Sequence, residues 1–174
     1  MALRHRLIEV SPATVWTVLA DGTKYAQWVV GTASSRPVRG QWPDVGAAIE
    51  YEVRLGPFRA TNETVVRRCK KGSGEERSVL ELEAKAGALG TARIAIDVRP
   101  WGEHTLVRVD EHPLHGAAGT LHNAGVEMVI QLRHRAMLAR LARVCEAEAG
   151  GRESATDTAA GHGAPRRGGA AGHA

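Results

Sequence analysis

The residues best equipped for chemistry in this chain are polar side chains set into apolar patterns. Tyr51, Asn62, Thr64, Thr105 and Glu111 each share strand parity with Ile or Val neighbours, and His134 sits on a helical apolar stripe between Ile130 and Met137. A polar group facing an apolar interior costs roughly 1–3 kcal/mol unless it is hydrogen-bonded. Each therefore needs a neighbour, a water or a ligand. A neighbour in the core is the commoner fate of any one such group. As a set, they are the candidates for fixing the orientation of a bound molecule. Tyr51, Glu111 and His134 also carry groups whose proton affinity a dry cavity shifts, which makes them the candidates for general acid–base catalysis.

Other chemistries find less support. Eight histidines are present, yet no His-x-x-x-His pair and no Cys-x-x-Cys occurs. His112, His115 and His122 cluster in one stretch, and a solvated loop explains them better than a metal site. No metal and no cofactor is expected. The glycines at 87–90 and 116–119 match no phosphate-binding pattern, and no Gly-x-Ser-x-Gly nucleophile elbow occurs. Cys69 and Cys145 are expected as free thiols.

The elements that must position these groups follow from periodicity. Leu3–Val10 reads as a first strand. Ser11 is a good N-cap and Pro12 a good first residue for a short helix carrying Val15, Trp16, Val18 and Leu19. A second short helix carries Tyr25, Trp28 and Val29, and Ser34–Arg39 reads as an edge strand because of Pro37. From Ala47 the period becomes two. Ile49, Tyr51 and Val53, then Asn62, Thr64 and Val66, then Leu80 and Leu82, then Ile94 and Ile96, then Val107 and Val109 alternate with a face that is mostly charged. That is an antiparallel meander with one apolar face, which must be covered. The remaining long apolar element is a helix from about Leu121 to Glu148. Its stripe is Val126, Ile130, Met137, Leu141 and Val144, and Met128, Val129 and Leu132 make its first half apolar on every side.

Parity predicts a cavity lined by Tyr51, Val53, Asn62, Thr64, Leu82, Ile94, Ile96, Val107 and Val109 from the sheet and by Met128, Val129 and Leu132 from the helix. Trp28 is a candidate for its wall, Trp42 for a loop position at its mouth, and Trp16 for plain core. The entrance is expected near 115–122 and the second short helix.

With 43% hydrophobic and 24% charged residues among 174, the composition suits one domain, expected over 1–149. Residues 150–174, rich in Gly and Ala without apolar periodicity, are expected to be a disordered tail. The net charge of +4 comes from arginines that alternate with acids or apolar residues. That suits solvated faces, so nucleic acid is not an expected partner. No run of ~18 apolar residues would span a membrane, and no apolar stretch near the N-terminus suits a signal peptide. A cytoplasmic protein is expected, with monomer and homodimer both open.

The segment SPATVWTVLADGTKYAQWV at 11–29 resembles the opening motif of the START-like (SRPBCC) helix-grip superfamily, and RHRAMLARLARV at 133–144 resembles its closing helix. Bacterial members are often described as polyketide cyclase/dehydrase and lipid-transport proteins. The resemblance covers about residues 1–148 and implies an α+β helix-grip fold. In it a curved antiparallel sheet of about six or seven strands wraps around a long C-terminal helix, with two short helices after the first strand. No catalytic residue is common to that superfamily, so none is carried over. The resemblance implies binding or carriage of a small hydrophobic molecule such as a lipid, polyketide or aromatic metabolite. A polyketide cyclase/dehydratase-type enzyme is the alternative, and a protein-interaction module the third reading.

Overall fold

The computed structural model describes residues 2–55, 58–85, 90–115 and 124–161. Strand β1 (Ala2–Ile8) leads into helix α1 (Pro12–Leu19). Ser11 caps α1 by accepting from the Thr14 backbone N–H at 3.3 Å, and Pro12 occupies the first turn, where no N–H is needed. Val15, Trp16, Val18 and Leu19 are buried on its inner side. Asp21 caps a single 3₁₀ turn (Gly22–Lys24), which runs straight into the one-turn helix α2 (Tyr25–Trp28). Gly22 must be small: a Cβ there would stand 3.1 Å from Ile49 Cδ1 and 3.3 Å from Trp42 Cγ.

Six strands follow: β2 (Thr32–Arg39), β3 (Ala48–Leu55), β4 (Phe58–Lys70), β5 (Ser78–Lys85), β6 (Thr91–Trp101) and β7 (His104–His115). They form one antiparallel seven-stranded sheet in the order β1-β7-β6-β5-β4-β3-β2. The alternation seen in the sequence sets which face is buried. Ile49 opposes Thr64, which opposes Ala84; Val66 opposes Leu82, which opposes Ile94, which opposes Glu111. All of these side chains are buried. The opposite parity carries an ion-pair ladder that includes Arg36–Glu50, Lys85–Glu63, Arg93–Glu81 and Arg108–Asp97. Most of the sheet's arginines are spent there, each pair contributing little on its own in solvent.

The long helix α3 runs Ala124–Gly161. Among its described side chains His134, Met137, Leu138, Leu141, Ala142 and Cys145 are buried. Its backbone packs against β1, α1 and α2, and Lys24 beside α2 is ion-paired to Glu148. The result is a helix-grip fold. Trp16 is buried in the core as expected, and both cysteines are free. Among the described residues no helix is long and apolar enough to cross a membrane.

Two expectations need correction. The helix does not stop near Gly150: it continues through Gly150 and Gly151 to Gly161, so the first part of the supposed disordered tail is helical. Alanine has the highest helix propensity and recurs through 155–160, and Arg152 pairs with Glu148 one turn back at 3.5 Å. Residues 162–174 lie outside the described residues. Leu132, expected to face a cavity, is 59% exposed. At ~100° per residue it stands half a turn round from Leu141, opposite the buried stripe.

Leu141 anchors that stripe. Leu141→Ala is expected to cost about 2–5 kcal/mol of unfolding free energy, whereas Arg140→Ala on the solvent side should stay within about 0.5 kcal/mol. Urea denaturation of the two variants checks this.

Candidate functional site

Tyr51 and Thr64 face inward from neighbouring strands, and α2 lays Tyr25 over them. The Tyr25 hydroxyl and Thr64 Oγ1 are 3.0 Å apart in a buried hydrogen bond. Tyr25 is the centre of an aromatic group, with ring centroids 5.2 Å from Trp28, 6.2 Å from Trp42 and 5.5 Å from Tyr51. Burial pushes the Tyr25 phenol well above its ordinary value, with Tyr51 adding to the effect. Burial raises Tyr51 too, against the opposing influence of Thr64, Arg133 and Asn62. Both tyrosines stay neutral hydroxyls that can donate and accept.

On the other side of the interior, Glu111 of β7 meets His134 of α3. Glu111 Oε2 and His134 Nε2 are 2.6 Å apart and buried, and Arg133 Nη1 stands 3.9 Å from Glu111 Oε1. Burial works to raise the Glu111 carboxyl, but the His134 hydrogen bond and the Arg133 charge outweigh it and hold the group below the usual carboxylate value. His134 is 1% exposed, and its Nδ1 has no hydrogen-bond partner among the described residues. Trp28 Nε1 is a second buried polar atom without one.

The two halves belong together. β3 and β7 are four strand steps apart, ~19 Å on a flat sheet. Yet Glu111 and Arg133 both act electrostatically on Tyr25 and on Tyr51. Curvature folds the sheet so that both ends address one interior.

The acid–base candidates Tyr51, Glu111 and His134 are thus brought into one cluster. Leu82, Ile94, Ile96, Val107 and Val109 are buried in the shared apolar core, and Val53 and Asn62 are half-buried. Thr105 belongs elsewhere: its hydroxyl donates to the Val10 carbonyl at 2.7 Å, which is a structural role. Trp28 is buried against Tyr25. Trp42 lies in a loop but is buried, its Nε1–H donating to the Leu19 carbonyl at 3.0 Å, so it closes the core instead of standing exposed at a mouth. The side chains of Met128 and Val129 lie outside the described residues, as does the expected entrance at 116–122. Among the described residues no group of His, Cys, Asp and Glu is placed to hold a metal.

Tyr25 and Arg133 were not among the sequence candidates. A one-turn helix has no periodicity to display, so Tyr25 had no parity to read. Arg133 lies off the helix's apolar stripe and reaches Glu111 by the length of its side chain. A separate groove of about 320 Å³ lies between α2 and α3, lined by Lys24, Gln27, Arg143, Val144, Ala147 and Glu148. It is open to solvent and holds none of the unpartnered polar atoms, so the interior cluster is the stronger site.

A family model described as polyketide cyclase / dehydrase and lipid transport matches residues 4–146. The chain belongs to this family. Comparison with curated proteins finds no match. Among solved structures, a hypothetical protein of Helicobacter pylori is similar with a TM-score of 0.66 at 12% identity, over 83% of this chain and 86% of that one. Ara h 8.0201 is similar with a TM-score of 0.64 at 9% identity, over 83% and 96%. A STAR-related lipid transfer protein of Xanthomonas axonopodis gives 0.61 at 13%, over 83% and 84%. At these identities the likeness is one of fold.

Two measurements test the cluster. Thr64→Val keeps the shape but leaves the Tyr25 hydroxyl without its partner, and should cost about 1–3 kcal/mol in urea denaturation. Glu111→Gln trades a charge-assisted bond for a neutral one and should cost about 1–2 kcal/mol at about pH 7. Because the folded carboxyl titrates below its unfolded value, its contribution is complete above about pH 4.5 and is lost as pH falls through the folded value. The gap between wild type and Glu111→Gln should therefore close on acidification, and a gap that widens contradicts the assignment.

Proposed function

We propose that this chain binds and carries a small hydrophobic molecule between the concave face of its sheet and helix α3. One observation carries the reading: a small set of buried polar groups, from Tyr25 to His134, converges on an otherwise apolar interior. Apolar walls with a few fixed polar groups are what small-molecule sites are made of, the walls supplying affinity and the polar groups orientation. Tyr51, Thr64, Leu82, Ile94 and Ile96 are the proposed sheet lining, with Trp28 closing one end and Val53, Asn62, Val107 and Val109 extending it.

A second reading, a cyclase/dehydratase-type enzyme in the same space, draws on Glu111 and His134. A base held by a carboxylate is the arrangement that general acid–base catalysis uses, with Tyr51 of the same interior as a neutral proton donor. The family description covers both readings.

Protein purified under native conditions from its own source should show, by native mass spectrometry, a bound small molecule that denaturation releases. Ile96→Trp, which adds bulk to the concave face, should lower the ligand-bound fraction while the chain still unfolds cooperatively. Recovery of bare chain alone, with no apolar probe binding in vitro, sinks the proposal.

A further inference from the structure

Glu111 continues an apolar row. Val66, Leu82 and Ile94 oppose one another across β4, β5 and β6, and the next place in that row is a carboxylate. A carboxylate only accepts hydrogen bonds. The 2.6 Å contact therefore makes His134 Nε2 the donor. That assignment decides the other ring nitrogen. Nδ1 belongs to a side chain 1% exposed and has no partner among the described residues. If the ring were charged, Nδ1 would be a buried N–H without an acceptor among the described residues. If it is neutral, Nδ1 is a lone pair waiting for a donor. The second costs less, because an unmade bond is dearest for a charged group.

The described hydroxyls nearby have partners of their own. Tyr25 and Thr64 are engaged with each other, and Thr64 and Asn62 stand beside Tyr51. Among the described residues, no donor is placed to meet Nδ1. A carboxylate has no hydrogen to give a lone pair, and an ammonium brought into this interior pays the desolvation cost of a charge. A neutral hydroxyl meets neither penalty.

We propose that His134 Nδ1 is the acceptor for the hydroxyl of a bound alcohol or phenol, with Glu111 as the positioning residue that fixes the ring tautomer. This rests on the small-molecule reading above and names the polar group its ligand carries. The ligand is then an apolar body with one hydroxyl directed at α3, gripped by the sheet on its other sides.

Three probes of one shape test it: naphthalene, 1-naphthol and 1-naphthoate, titrated into the full chain by calorimetry. 1-Naphthol should bind about five- to tenfold more tightly than naphthalene, and 1-naphthoate no more tightly than naphthalene. In ¹⁵N-histidine-labelled protein, Nδ1 of His134 should resonate as an unprotonated ring nitrogen, and shift on adding 1-naphthol but not naphthalene. Cooperative urea unfolding of Glu111→Gln reports an intact interior. The variant should lose most of the preference for 1-naphthol, because an amide accepts from or donates to Nε2 and no longer fixes the tautomer. Equal binding of naphthalene and 1-naphthol, or a protonated Nδ1 in the free protein, overturns this inference and leaves the binding reading standing. Failure of every probe to bind overturns both.

Discussion

A sheet with one apolar face can hide it only by bending or by finding a cover, and this sheet does both. Register shifts in the pairings of β2 with β3, β4 with β5 and β6 with β7 are where extra residues enter the ladder. Such bulges bend a strand and increase its twist. The bend brings β3 and β7 towards each other although three strands lie between them. Everything else follows from that concavity. Helices α1 and α2 close it near β6 and β2, α3 packs over the remaining edge beside β1, and the interior so enclosed is dry enough for hydrogen bonds to dominate whatever polar groups it holds.

The polar groups inside are accordingly few, and most of them are paired. Thr105 is used up by a backbone carbonyl, and Thr64 by a phenol. Glu111 is held by a ring nitrogen and a guanidinium from consecutive residues of one helix. Buried charge of this kind is weak evidence for stability, since well-packed apolar residues often do as well. The family to which the chain belongs uses this fold for apolar cargo and for chemistry on it, and both uses need walls of this sort with a few fixed dipoles.

Much of this was legible in the residues. Two-residue alternation from Ile49 to Val109 marked the inward face of β3 to β7, because a strand offers no other way to sort its side chains. Ser11 and Pro12 marked the start of α1 for an equally local reason. What alternation does not encode is which inward residues meet across the interior. Glu111 and His134 were each visible as polar residues on apolar faces, but their pairing depends on how far the sheet bends. Tyr25 was hidden by the brevity of α2. Leu132 misled because an apolar residue near the start of an apolar segment gave no sign of its angle, which only the buried stripe from His134 to Cys145 reveals. The helix past Gly150 was missed because two glycines and a polar composition read as an end, whereas a helix already anchored in a core propagates past weak residues at modest cost.

The order of strands has a consequence for how the chain assembles. Strands β2 to β7 each pair with their neighbour in sequence, so their hairpins can close as soon as both arms exist. The first strand is different: Ala2 lies opposite Glu111, and must wait for nearly the whole sheet. Contacts so distant in sequence are the slow ones, since the intervening chain has to be ordered before they form. The carboxylate of β7 and the imidazole of α3 come from the last strand and the last helix. During synthesis, therefore, the meander stands with an open edge and an unfilled interior until the C-terminal helix emerges, and the interior gains its polar end only when the rest of the body is already in place.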